Sequence, residues 1–129
     1  MTTAKRVLVV DDDLAVAELL RMALGNEGFD VATAGNGAAG LLAIDTRRPD
    51  LVILDVVMPV MDGLETVRQL RDRPETAHLP IIMLTACAAE DVLGGSTGQV
   101  DLYMAKPFDP DALVAAVKRM LGGTGEVSE

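Results

Sequence analysis

The sequence predicts a doubly wound α/β domain, (βα)5, with a five-stranded parallel sheet and helices on both faces. Three observations point to it. Short apolar runs alternate with stretches of helical periodicity along most of the chain. Several of those runs carry no polar interruption, as expected of strands covered on both faces. The unusual polar residues stand where the runs stop, as they do in folds that bind ligands beyond the carboxyl ends of parallel strands.

Taken in order, "RVLVV" (Arg6 to Val10) is the first strand. The first helix follows in "LAVAELLRMALGNEG", where Val16, Leu19, Leu20, Ala23 and Leu24 recur at helical spacing and Gly28 is the expected stop. "FDVATA" is a weaker second strand, and "NGAAGLLAIDTRR" a second helix softened by Gly40. "DLVILD" (Asp50 to Asp55) is the third strand and ends, like the first, in Asp. "DGLETVRQLRD" is the third helix. "PIIMLTA" is the fourth strand, ending at Thr85. A poor fourth helix is expected over Ala88 to Leu93, because Gly94, Gly95, Ser96, Thr97 and Gly98 follow at once. "DLYMAK" is the fifth strand, ending at Lys106. The last helix lies in "DPDALVAAVKRML", with Asp109 as N-cap, Pro110 in the first turn and Lys118 and Arg119 near the end. The expected organisation is one domain over residues 1–121 and a mobile tail over 122–129.

Bulk composition narrows the function. The 129 residues suit one domain, and half are hydrophobic, enough for a core without staples. Only 2% are aromatic, so the core must be aliphatic, with seven Met filling gaps. A formal net charge of -9 argues against nucleic-acid binding by this chain alone. One Cys excludes an internal disulfide and fits a reducing cytosol, so a cytoplasmic location is expected. The first apolar run is too short for a signal peptide, and no run approaches the roughly 20 residues of a membrane span.

The chemistry is concentrated at the strand ends. "VVDDDLAV" puts Asp11, Asp12 and Asp13 in a row where a buried strand stops. Two carboxylates 4 Å apart repel by about 4 kcal/mol at a surface-like dielectric, so something positive should sit among them. Asp11, Asp12, Asp55, Thr85 and Lys106 all stand at carboxyl ends of strands and should meet in one crevice. Carboxylates with room for water and phosphate suit Mg²⁺. A lysine offers a point charge to phosphate oxygens and a threonine hydroxyl can donate to them. A carboxylate can also be the nucleophile that becomes an aspartyl phosphate.

Here "VLVVDDD", "PDLVILDVVMPVMDG", "PIIMLTA" and "YMAKPF", in that sequence, resemble the receiver domain of two-component response regulators of the chemotaxis-regulator type. The resemblance covers roughly Lys5 to Leu121. It implies a flavodoxin-like sheet in the order 2-1-3-4-5, the order that a chemotaxis regulator itself exemplifies. It implies Asp55 as phospho-acceptor, and Mg²⁺ held by Asp12 and Asp55, by Asp11 through water and by the Val57 backbone carbonyl. Lys106 would hold the phosphoryl group, Thr85 would move toward it and Tyr103 would swing inward behind Thr85. Pro59 and Gly63 would shape the loop after Asp55, and Pro107 would follow Lys106 through a cis peptide. Val57 and Cys87, each two residues beyond a site residue, position water poorly and imply a long-lived phosphorylated state.

Ordinary readings account for the neighbours. Asp13 reads as the N-cap of the first helix rather than a metal ligand. His78 reads as a loop residue, not a phospho-donor, and Cys87 as a small apolar residue. Asp11-x-Asp13 also spells the D-x-D of haloacid-dehalogenase-type phosphatases, but Leu14-Ala15-Val16 lacks the Thr that family places soon after. A phosphorylation-independent docking module is the other alternative, and the complete site argues against it.

The expected function is therefore a phosphorylation-controlled signalling switch, not an enzyme beyond assisting its own phosphorylation and dephosphorylation. It would take its phosphoryl group from a histidine kinase or phosphotransfer protein and pass its state to a downstream protein. The resemblance gives no membrane partner and suggests a monomer or weak dimer. After Leu121 the sequence offers no DNA-binding or enzymatic pattern, so a stand-alone receiver or part of a longer protein is expected.

Overall fold

The computed structural model describes residues 4–56, 60–85 and 100–122. Five parallel strands form one sheet: β1 (Arg6–Val10), β2 (Asp30–Ala34), β3 (Leu51–Asp55), β4 (Ile81–Thr85) and β5 (Leu102–Ala105). Their order is β2-β1-β3-β4-β5, as the resemblance implied. Four helices are described: α1 (Leu14–Gly25), α2 (Gly37–Thr46), α3 (Gly63–Asp72) and α4 (Pro110–Leu121). The candidate helix of residues 88–93 and all of the candidate tail (122–129) but Gly122 lie outside the described residues; Gly122 caps α4, its N–H bonded to the Lys118 carbonyl.

Period-two alternation divides the core into two layers. Val7, Val9, Leu51, Ile53, Ile82 and Leu84 point to one side, where α1 brings Leu20 and Leu24 and α4 brings Leu113 and Val117. Leu8, Val10, Val52, Leu54, Ile81 and Met83 point to the other, against Leu41 and Ile44 of α2 and Val67 and Leu70 of α3. Every residue of β3 and β4 is buried, which is why those runs are solidly apolar. β2 is an edge strand with exposed Asp30, Ala32 and Thr33, which explains its weaker pattern.

Helix starts follow the sequence closely. Asp13, Asn36, Asp62 and Asp109 are N-caps whose side chains accept backbone N–H groups of the first turn. Two expectations change. α1 ends at Gly25, not at Gly28; the Glu27 N–H bonds to the Leu24 carbonyl and the Gly28 N–H to the Gly25 carbonyl, tightening the chain into a turn in which Gly28 has φ 95. Gly40 does not mark a weak point in α2. A Cβ there would lie 3.0 Å from Val10 Cγ2, so its small size lets α2 approach β1.

Four strands, β2 to β5, begin one residue later than the sequence suggests, and before β3 and β5 the residue left out is an aspartate with another use. Asp50 donates its N–H to the Arg6 carbonyl at 2.8 Å, and its Oδ2 accepts the Arg6 N–H at 2.7 Å. Asp101 does the same to Ile81: its N–H donates to the Ile81 carbonyl at 3.0 Å, and its Oδ2 accepts the Ile81 N–H at 2.8 Å. In each case an aspartate just before a strand grips the first residue of the neighbouring strand.

Candidate functional site

The carboxyl ends of β1, β3, β4 and β5 place the site residues. Register sets Val10 opposite Leu54, so Asp11 and Asp55 extend neighbouring strands side by side. Asp55 is opposite Leu84, and Thr85 opposite Ala105, so Lys106 follows directly beyond Thr85. Alternation decides which side each serves. Asp11, Asp55 and Lys106 continue the series of Val9, Ile53 and Met104 on the α1–α4 side. Thr85 continues the series of Met83 on the α2–α3 side, where Tyr103 also packs.

The expected convergence of the charged residues is present. Asp11, Asp12 and Asp55 bring ligand oxygens within 4.8 Å of one another. Asp11 and Asp55 are buried and Asp12 is exposed, so the cluster opens to solvent through Asp12. Lys106 Nζ lies 3.0 Å from Asp11 Oδ2 and 3.2 Å from Asp55 Oδ2. Its ammonium is thus one positive group that the three aspartates call for. Burial pulls the Lys106 pKa down, but the hydrogen bonds and charges of Asp11 and Asp55 outweigh it and hold the group above its usual value. Asp11 is fixed on its other oxygen, since Oδ1 accepts the Asp13 N–H at 2.9 Å. Asp13 is turned away as the α1 cap, accepting from Ala15 and Val16.

Backbone bonds hold the rest. The Lys106 N–H donates to the Thr85 carbonyl at 2.7 Å, and the Lys106–Pro107 peptide is cis. The Val56 N–H donates to the Leu84 carbonyl at 3.0 Å and the Gly63 N–H to the Val56 carbonyl at 2.8 Å. Gly63 is required there: a Cβ would meet the Asp55 carbonyl oxygen and lie 2.9 Å from Val56 Cα. The start of α3 is therefore packed directly on the main chain of Asp55. Tyr103 is half-buried; its hydroxyl is shielded and has no hydrogen-bond partner among the described residues. Burial raises its pKa above the usual phenol value. Beside Lys106 a cleft of about 480 Å³ is lined by Asp13, Val16, Leu19, Lys106, Pro107 and Phe108. Val57, Pro59 and Cys87 lie outside the described residues, so the expected carbonyl ligand, loop proline and water-positioning places are not part of this geometry. His78 is exposed in the connection before β4, as read from the sequence.

The sequence reading missed two features. Lys106 is engaged by Asp11 as well as by Asp55, a pairing across 95 residues of chain. Val60, beside the site loop, has φ 69 and is 83% exposed, a backbone state that valine rarely adopts. No pattern in the sequence signals it, because the usual marker of such a position is Gly or Asn.

Comparison with known proteins agrees with this fold. Residues 7–118 match the response regulator receiver domain family. The chain is 45% identical over 121 residues to the DNA-binding response regulator MtrA of Mycobacterium tuberculosis, covering 93% of this chain and 52% of that protein. It is 47% identical over 118 residues to the phosphate regulon transcriptional regulatory protein PhoB of Rhizobium meliloti, covering 90% and 52%. The chain thus spans about half the length of these relatives. Among solved structures, the chemotaxis response regulator CheY4 of Vibrio cholerae superposes with a TM-score of 0.84 at 31% identity, covering 91% of this chain and 98% of that one.

Proposed function

Because this chain belongs to the response regulator receiver domain family of two-component systems, we propose that it is a phosphorylation-controlled switch with Asp55 as the acceptor. The observation that carries the reading is the buried Asp55 carboxylate, 3.2 Å from Lys106 Nζ and clustered with Asp11 and Asp12 at the carboxyl end of the sheet. In the transfer, an Asp55 carboxylate oxygen attacks the phosphorus of a phosphohistidine on a histidine kinase or phosphotransfer protein. The P–O bond forms as the P–N bond breaks, and the histidine nitrogen keeps the electron pair and takes a proton. Positioning and charge neutralisation dominate such a step.

The carboxylate trio fits Mg²⁺, which prefers a few carboxylates with water and phosphate oxygens completing its shell. Asp11, Asp12 and Asp55 would hold it, with the Val57 carbonyl as a further ligand, and it would supply charge to the transferring phosphoryl oxygens. Lys106 moves from its carboxylate contacts onto a phosphoryl oxygen. Thr85 donates its hydroxyl to another, and Tyr103 packs behind Thr85 on the same face of the sheet. The domain assists only its own phosphorylation and dephosphorylation; its output is an altered surface read by another protein or by a further part of a longer chain. MtrA and PhoB are named as a DNA-binding and a transcriptional regulator, so a transcriptional output is proposed here, with DNA contacts made elsewhere than on this acidic domain. The setting is cytoplasmic, and no described helix is long and apolar enough to cross a membrane.

The test is direct. The protein is incubated with Mg²⁺ and acetyl phosphate, and intact mass is read. Wild type should gain one phosphoryl group and Asp55→Asn none. A label that survives Asp55→Asn and disappears with Asp11→Asn would instead favour a phosphatase-type nucleophile.

A further inference from the structure

β5 carries Lys106 into the site, yet it is the shortest strand of the sheet. It has four residues, lies at the edge of the sheet, and is only partly buried along its length. Register is specified strongly wherever one face of a strand is buried, and no residue of β5 is fully buried on either face. A slip of two residues would preserve its faces and still move Lys106 by about 6.6 Å. Its ammonium makes contacts of 3.0 and 3.2 Å, so the site does not tolerate such a slip.

One arrangement at the far end of β5 opposes the slip. Asp101 grips both backbone groups of Ile81, at 2.8 and 3.0 Å. The same Asp101 Oδ2 lies 3.4 Å from Arg71 Nη2. Arg71 Nη1 donates to the carbonyls of Thr76, Ala77 and Leu79 at 3.2, 3.0 and 2.8 Å. One guanidinium therefore ties the end of α3, the connection into β4 and the entry of β5 into one node. Asp50 makes the same grip on Arg6 between β1 and β3. There the strands are buried and their register is already determined by packing. At β5 packing is thin, and the grip has an added guanidinium.

We propose that Arg71 and Asp101 are positioning residues for phosphoryl transfer: by fixing the register of β5 they hold Lys106 against Asp11 and Asp55. The proposal rests on the role given to Lys106 above, and the experiment separates the two. The initial rate of phosphorylation by acetyl phosphate with Mg²⁺ is measured per folded molecule, with the folded fraction taken from urea unfolding. The proteins are wild type, Asp101→Ala, Asp101→Asn, Arg71→Lys, Lys106→Ala and the double variant Asp101→Ala/Lys106→Ala.

Asp101→Ala should be slower by about tenfold, the scale expected when a positioned group is displaced by a fraction of an ångström or more. Asp101→Asn keeps an oxygen that can accept the Ile81 N–H and should recover most of the rate. Arg71→Lys keeps the charge but not the fork, and should fall in the same direction as Asp101→Ala; it serves as the reading if Asp101→Ala fails to fold. Groups that act through one another are not additive, so the double variant should be no slower than Lys106→Ala alone. Wild-type rates in both Asp101→Ala and Arg71→Lys overturn the proposal, as does a double variant slower by the product of the single effects. A wild-type rate in Lys106→Ala overturns the role of Lys106 as well.

Discussion

Lys106→Met tests whether the lysine is the structural counter-ion of the carboxylates before any phosphoryl group arrives. At 3.0 and 3.2 Å from two carboxylate oxygens, the ammonium gains about 5 kcal/mol from each at an effective dielectric of 20, before desolvation is subtracted. Desolvation returns much of that. The relevant measure is what remains when one partner of a buried pair is removed, about 3 to 5 kcal/mol. The lysine side chain is 22% exposed while Asp11 is 1% exposed, so the lower end applies. Methionine keeps most of the aliphatic stem and isolates the charge. In metal-free buffer, Lys106→Met should therefore lose about 3 kcal/mol, or about 10 °C in Tm for a chain of this size. Added Mg²⁺ should restore more stability to the variant than to wild type, because binding adds RT ln(1 + [L]/Kd) and the competing ammonium is gone. Urea unfolding followed by far-UV circular dichroism, with and without Mg²⁺, reads both effects. A metal-free variant within about 0.5 kcal/mol of wild type, or equal Mg²⁺ stabilisation of both, refutes the counter-ion account.

Three further outcomes follow from particular residues. Val60→Gly should stabilise by about 1 kcal/mol, since a β-branched residue at φ 69 is relieved and an 83% exposed side chain loses little packing; an unchanged or lower urea midpoint refutes it. Gly63→Ala should cost at least about 3 kcal/mol, because its Cβ would press on the Asp55 carbonyl and on Val56 Cα at 2.9 Å, neither of which can swing aside; a loss under 1 kcal/mol refutes the close packing. Tyr103 is the one tyrosine in a chain without tryptophan, so absorbance at 295 nm reports it alone. Its midpoint should lie above the ordinary phenol value of 10, because burial disfavours the phenolate. A folded-state pKa raised in this way, like that of Lys106, adds stability that is complete below the unfolded value and fades as pH rises through the folded one. A midpoint at or below 10 in folded protein refutes the burial argument.

The readable parts of this sequence were those in which one physical demand dictated residue type. β3 and β4 are buried on both faces, so their runs could be nothing but apolar and were visible at once. Helix starts were visible because an unsatisfied first turn selects Asp or Asn at the cap. The carboxyl-end cluster was legible because a parallel sheet brings strand ends together whatever the loops between them do. Other features were hidden because several demands gave the same residue. Gly25 and Gly28 could each end α1, and local turn bonds, not composition, chose Gly25. Asp50 and Asp101 read as first residues of strands, yet each is a clamp on a partner 44 or 20 residues away. A lone aspartate before a strand has too many ordinary uses to reveal its partner.

The two ends of the sheet thereby divide the work. At the carboxyl ends, main-chain pairing stops and side chains of Asp11, Asp55 and Lys106 meet. At the amino ends of β3 and β5, carboxylates replace the missing ladder partner and fix where each strand begins. A rigid site needs the second as much as the first, because strand register converts a slip at one end into an equal displacement at the other. Lys106 is the sensitive case. It reaches two carboxylates from an edge strand, so its placement depends on every bond along β5, from Asp101 with Ile81 to its own N–H on the Thr85 carbonyl. Phosphorylation at Asp55 would draw Lys106 and Thr85 toward one group, and so pull on β4 and β5 together from the end opposite the Arg71 node. Tyr103, midway along β5, packs against the α2–α3 layer, and its hydroxyl is shielded with no hydrogen-bond partner among the described residues.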